Sequence, residues 1–152
     1  MVHVRSDRWY DLPADRAAVW DSFTSTRRYR AWWPWLTEFD GVELAAGQQW
    51  SCTVSPPLPY LVRFRLELVE VDPPRSVRAV LTGDVVGNAR LEVVVAGSAS
   101  RVHLVSDLAP GNPALQVIAR VAQPVVRRGH DWVLDTGARQ FVERALDPTG
   151  RI

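Results

Sequence analysis

The sequence contains no lysine, and all 18 of its basic residues are arginine. Against them stand 17 acidic residues spread along the chain, for a net charge of +1. A dedicated nucleic-acid binder carries a basic stripe, so no nucleic-acid partner is expected. There is one cysteine, Cys52. A single thiol excludes an intrachain disulfide and a cysteine-built zinc site, and it fits a reducing, cytoplasmic location. No apolar run approaches the roughly 18 residues that cross a bilayer, so no integral membrane segment is expected. Met1 to Arg8 carries charges and no apolar core, which is unlike a signal peptide. The histidines, His3, His103 and His130, fall on separate predicted elements, so no metal site is expected. Neither a phosphate-binding glycine loop nor a nucleophile elbow is present, and no cofactor is expected. Internal repeats, low-complexity tracts and linkers are also missing.

What is present suits one globular domain over residues 1–152. Apolar residues make up 47% and charged residues 23% of the chain, an ordinary balance for a folded protein. A chain of 152 residues hides about 70% of the surface it exposes when unfolded, enough for a sizeable core.

Val2 to Leu12 reads as a strand. A helix is expected from Pro13 to Phe23, with proline in the first turn and Ala17, Trp20 and Phe23 on one apolar stripe. A second short helix is expected over Arg27 to Leu36 and carries Trp32, Trp33 and Trp35. Period-two alternation follows. It predicts strands over Phe39 to Leu44, Gln48 to Val54, Tyr60 to Val71, Ser76 to Thr82, Ala89 to Val95 and Arg101 to Leu108. Tyr60, Val62, Phe64, Leu66 and Leu68 share one face, and Arg63, Arg65 and Glu67 the other, the pattern of a sheet with one dry face. Ser55 to Pro59 is a stiff connection that cannot join a central ladder. A turn is expected from Gly83 to Asn88, and its Asp84 reads as turn chemistry. Short connections make the strands an antiparallel meander. Ala114 to about Leu146 is helical, with a kink or split at Pro124.

This order of elements resembles the START-like superfamily, which includes the birch pollen allergen, lipid-transfer domains and bacterial polyketide cyclases. The residues that carry the likeness are Leu12-Pro13-Ala14 with Val19-Trp20-Asp21, and Gly129-His130-Asp131-Trp132-Val133-Leu134-Asp135-Thr136-Gly137. The latter looks like the C-terminal helix of actinobacterial members. The resemblance implies an α+β helix-grip fold. About six to seven antiparallel strands curve around a long C-terminal helix, and two short helices follow the first strand. It also implies a hydrophobic or amphipathic small-molecule ligand, such as a lipid or polyketide, held between sheet and helix. An alternative is an enzyme of the polyketide cyclase, aromatase or dehydratase type. A second alternative is a protein-interaction module whose cavity is filled by its own side chains. The strand arginines Arg63, Arg65, Arg78, Arg90 and Arg101 alternate mostly onto the wet face, which speaks against a cyclase arginine.

Within that frame the expected ligand-binding set is Trp33, Trp35, Trp50, Tyr60, Phe64, Leu81, Leu91, His130, Leu134, Gly137 and Phe141. The indoles offer flat walls for a planar or steroid-like ligand, against the plainer reading that they pack the core. Trp33 is expected to face inward ahead of Trp32. On a helical wheel His130 shares the apolar face with Val126, Val133, Leu134, Gly137 and Phe141. It is expected to line the pocket as a neutral base or polar anchor, against a core histidine with a local partner. Gly137 is expected to leave room in the cavity. Asp131 is placed off the His130 face, and Trp132 is expected at a strand edge or an interface, with a homodimer left open. Tyr60 and His130 are the two candidates for moving a proton. The run Arg27, Arg28, Arg30 reads as a solvated helix face.

Overall fold

The computed structural model describes residues 3–57 and 60–146. Val2 and the Leu58-Pro59 part of the proline connection lie outside the described residues. Seven strands form one antiparallel sheet: β1 (Val4–Leu12), β2 (Leu36–Phe39), β3 (Gln49–Val54), β4 (Val62–Asp72), β5 (Ser76–Gly83), β6 (Val85–Ala96) and β7 (Ala99–Pro110). Their spatial order is β1-β7-β6-β5-β4-β3-β2. The run from β2 to β7 is the expected meander, and β1 closes it by pairing with β7 from Val4↔Leu108 to Leu12↔Ser100. That last pairing joins the first strand to the last.

The helices are α1 (Arg16–Thr24), α2 (Tyr29–Trp32), α3 (Pro113–Val121) and α4 (Gln123–Arg144). Together with the curled sheet they make the helix-grip fold. α1 starts later than Pro13 predicted, because Asp15 is the cap. Its carboxylate accepts the Ala18 N–H at 2.8 Å and satisfies one of the free donors of the first turn. The second helical segment is shorter than Arg27 to Leu36. A 3₁₀ turn over Thr26–Arg28 leads into α2, and Leu36 already pairs with Val54. The strand expected over Phe39 to Leu44 ends at Phe39. There the Asp40 N–H still donates to the Ser51 carbonyl at 3.3 Å, but the Asp40 carboxylate rather than a backbone carbonyl accepts the Ser51 N–H at 2.6 Å, and the ladder ends.

The turn expected over Gly83 to Asn88 contracts to Asp84 alone. Gly83 and Gly87 take φ of +112° and +146°, values that L side chains rarely adopt. Asp84 accepts from the Arg63 N–H and the Asn112 amide, each at 2.8 Å. It therefore ties the β5–β6 corner to β4 and to the start of α3. Asn112 also caps α3 by accepting the Leu115 N–H at 2.7 Å. The long C-terminal helix does split as Pro124 requires. Ala122 leaves helical geometry at φ −131° and ψ 48°, and Pro124 sits in the first turn of α4, where its missing N–H costs nothing.

Strand alternation puts the apolar residues on the concave face. Leu68, Ala79, Val93 and Val102 are buried there, and α4 lies across that face. No helix among the described residues is long and apolar enough to cross a membrane.

Candidate functional site

The space between the sheet and α4 is filled at one end and hollow at the other. At the filled end, Tyr29 from α2 stands 5.2 Å from Phe39 and 5.9 Å from Trp50, measured between ring centroids. Trp32 lies 5.7 Å from Tyr29 and is 1% exposed. The Tyr29 hydroxyl donates to the Phe23 carbonyl, and the Trp50 indole donates to the Glu43 carbonyl at 3.2 Å. Burial raises the Tyr29 hydroxyl pKa well above its ordinary value. Trp50 and Trp32 are thus core, as the plainer reading of the tryptophans holds.

Under the middle of α4 the packing opens into an apolar hollow of about 200 Å³. Val133, Leu134, Gly137, Ala138 and Phe141 line it from the helix. Tyr10 and Leu12 of β1, Leu91 of β6, and Val102 and Leu104 of β7 line it from the sheet. Phe23, Trp33 and Trp35 close the third side. No polar atom of this lining is open to the hollow, because each polar tip is turned elsewhere and bonded. The Trp33 indole donates to the Gly137 carbonyl at 2.9 Å, and Trp35 donates to the Gln140 side chain at 2.8 Å. Tyr10 donates to Asp135 at 2.8 Å. Burial and that carboxylate together push the Tyr10 hydroxyl pKa well above its ordinary value.

The same bonds hang α4 in place. On one side Trp33, Trp35 and the Arg144 guanidinium, which donates to the Trp32 carbonyl at 2.7 Å, grip its C-terminal half. On the other, Arg8 pairs with Asp131 at 2.9 Å and Tyr10 with Asp135. A helix held at its flanks need not rest on the sheet beneath its middle.

Of the expected set, Trp33, Trp35, Leu91, Leu134, Gly137 and Phe141 meet around this hollow. Trp33 borders the hollow, whereas Trp32, the more deeply buried of the two, belongs to the ring cluster. Gly137 differs in its reason. A Cβ there would lie 3.3 Å from Trp35 Cζ2, so the missing side chain seats the indoles rather than only enlarging the space. Trp50, Tyr60, Phe64, Leu81 and His130 lie outside the lining. Trp50 is taken up by the ring cluster and Leu81 is buried in the sheet. Phe64 borders an open groove at the β2–β4 edge of the sheet, beside Phe39, Cys52 and Arg63. Tyr60 is half-buried just before β4, and burial raises its hydroxyl pKa.

His130 is turned away from solvent, with 15% of its side chain exposed. It sits one helical turn before Leu134, at the margin of the hollow. Burial lowers its pKa, so the neutral imidazole is favoured. Its Nδ1 lies 3.6 Å from Asp131 Oδ1, too far for a hydrogen bond, and has no other partner. Trp132 meets Trp35 edge-on at 6.2 Å. Tyr10, Leu12, Phe23, Val102, Leu104, Val133 and Ala138 complete the lining and were not singled out from sequence. Among the described residues no cluster of histidine, cysteine or carboxylate side chains could hold a metal ion.

The family model described as polyketide cyclase/dehydrase and lipid transport matches residues 1–146. No curated protein matches the sequence. Among solved structures, a START superfamily protein from Mycobacterium smegmatis is similar at TM-score 0.73 and 14% identity, covering 95% of this chain and 98% of that one. A conserved protein from Geobacillus kaustophilus is similar at TM-score 0.74 and 9% identity, with 94% and 95% covered. A norcoclaurine synthase point mutant from Thalictrum flavum, in complex with a transition-state analogue, is similar at TM-score 0.69 and 12% identity, with 95% of each chain covered. Likeness at these identities is likeness of fold.

Proposed function

The chain belongs to the polyketide cyclase/dehydrase and lipid-transport family, and from that premise we propose that it binds a compact, uncharged, hydrophobic small molecule between its sheet and α4. The observation that carries this reading is the hollow of about 200 Å³ whose lining offers apolar atoms only. Removal of apolar ligand surface from water drives such binding, at about 25 cal/mol per Å² before costs. A charged group placed there would lose its hydration with nothing in return.

Size narrows the class. An apolar cavity of about 150 Å³ takes benzene, and sites for drug-sized ligands run from about 300 Å³ upward. A hollow of about 200 Å³ therefore suits one or two aromatic rings better than the steroid-like body that the tryptophans suggested. Flat indole faces at Trp33 and Trp35 favour an aromatic ligand, stacked or edge-on.

A second reading, a cyclase- or dehydratase-type enzyme, draws on the family and on His130. This buried, neutral imidazole has an unpartnered nitrogen at the edge of the hollow and could take up a proton. Tyr60 lies away from that edge and does not favour it. The third reading, an interaction module with a filled cavity, describes the Trp32–Trp50 end but not the space under Leu134.

Naphthalene titrated into the protein tests the binding reading. It should raise the melting temperature and quench tryptophan fluorescence, with a micromolar Kd, about −8 kcal/mol. Leu104→Trp, which fills the hollow from the sheet side, should abolish both signals while the protein stays folded. No response in the native protein, or an unchanged response in Leu104→Trp, contradicts the reading. Loss of turnover in His130→Ala, with naphthalene binding retained, would favour the enzyme.

A further inference from the structure

Past the apolar lining of the hollow, along the same strands, lies a small group of buried polar atoms. On β1 the inward residues run Ser6, Arg8, Tyr10, and opposite them on β7 stand Ser106, Leu104 and Val102. Tyr10, Leu104 and Val102 line the hollow. Two residues further along each strand the inward face turns polar, at Arg8 on β1 and at Ser106 on β7. Ser6 and Ser106 face each other directly and are 9% and 7% exposed. On α4, one turn back from Leu134, His130 Nδ1 stands 3.6 Å from Asp131 Oδ1, and Arg8 is joined to Asp131 at 2.9 Å.

Ser6 Oγ, Ser106 Oγ, His130 Nδ1 and Asp131 Oδ1 are all buried without a hydrogen-bond partner. Asp131 Oδ1 is held by the charge of Arg8 rather than by an aligned bond. Only Trp32 Nε1 shares this condition among the described residues. Buried polar atoms nearly always find partners, so the two serine hydroxyls and the imidazole nitrogen, with no partner of any kind, point to a guest that brings its own polar group. Strand alternation alone would place apolar residues here, as it does at Leu12, Val102 and Leu104.

Resting on the reading of the hollow as a binding site, we propose that Ser6, Ser106, His130 and Asp131 form its polar end, and that the ligand is a compact aromatic alcohol. The aromatic body would fill the hollow and the hydroxyl would reach the serines and the imidazole. The charges decide the kind of head group. Arg8 is already engaged by Asp131 at 2.9 Å and by Asp135 at 3.6 Å, so it is not free to pair with a ligand carboxylate. A hydroxyl both donates and accepts. It can give its proton to His130 Nδ1 or Asp131 and accept from a serine, and each serine can turn either way.

Calorimetric titration with naphthalene, 2-naphthol and 2-naphthoate tests this. The native protein should bind 2-naphthol at least tenfold more tightly than naphthalene, and 2-naphthoate more weakly than 2-naphthol. Ser6→Ala/Ser106→Ala should erase the preference for the alcohol and leave naphthalene affinity unchanged. Should the double variant not fold, Ser106→Ala alone should cut the preference at least threefold. Equal affinity for naphthalene and 2-naphthol in the native protein would mean that buried water serves these atoms, and it overturns the proposal while the hollow stands. A preference that survives both serine variants overturns it as well. If none of the three compounds binds, the hollow itself is not a binding site and both readings fall.

Discussion

The two ends of the grip are built from the same alternating strands yet finish in opposite states. At the β2–β3 end, Tyr29, Trp32, Phe39 and Trp50 pack ring against ring. At the β1–β7 end, Leu91, Leu104 and Leu134 face a space they do not fill. Alternation decides which side chains turn inward, and it does so equally well at both ends. Volume decides what happens next. Aromatic side chains each bury about 150–250 Å² and close the gap where they pack ring against ring, whereas the rings at the rim of the hollow face Leu91, Leu104 and Leu134 across open space. The helix does not sink to meet them, because its flanks are tied by Trp33, Trp35, Arg144, Arg8 and Tyr10. Solidity at one end thus holds the other end open.

That contrast breaks most visibly under truncation. Trp32→Ala removes a side chain that is 1% exposed and should cost about 3–5 kcal/mol. Leu134→Ala removes atoms that already border empty space, and should cost about 1–2 kcal/mol, below the usual range for a core leucine. Urea denaturation of the two variants measures the difference, and equal losses would mean that both ends are packed alike.

A smaller effect is expected where the ends meet. Gly137→Leu drives a side chain into the Trp35 indole, whose Cζ2 lies 3.3 Å from where a Cβ would stand. It should cost about 1–3 kcal/mol and change the near-ultraviolet circular dichroism of the tryptophans. An unaltered spectrum would show that the indoles do not rest on this glycine.

The smallest effect is electrostatic and belongs to the hollow end alone. Burial holds the His130 pKa below its ordinary value of 6.5, with Arg127 and Arg8 pushing the same way and Asp131 opposing. The folded protein therefore binds this proton less readily than the unfolded chain. The contribution is fully present above pH 6.5 and is lost as the pH falls toward the lower folded value. Melting temperatures recorded from pH 7.5 down to pH 5 should fall less steeply in His130→Gln than in the native protein. Parallel profiles would place His130 in contact with water.

How much of this was legible in the sequence follows the same division. The dry face of β4, the split at Pro124 and the α4 stripe through Leu134 and Phe141 are periodic signals, and periodicity survives into the fold. The inward face of β1 was not assigned, because Ser6, Arg8 and Tyr10 do not look like a core pattern. It is the pairing of β1 with β7, the first strand with the last, that turns those residues inward. Pro13 predicts a helix start because proline favours the first turn, but the Asp15 carboxylate caps the helix two residues later. Strand phase gives the inward direction of Trp50, yet phase does not reveal whether a neighbour such as Tyr29 already occupies the space. Wheel position puts His130 on the apolar face. Its actual surroundings, Asp131 and Arg8, depend on a strand more than a hundred residues away.

The central claim is that an apolar space stays open beneath α4, and xenon tests it most directly. Crystals pressurised with xenon should show a single strong site between Leu104, Leu134 and Phe141, since dry cavities of about 150 Å³ take up this gas. That site should vanish in Leu104→Trp. Electron density in which these side chains close on one another, with no xenon between them, would contradict the account.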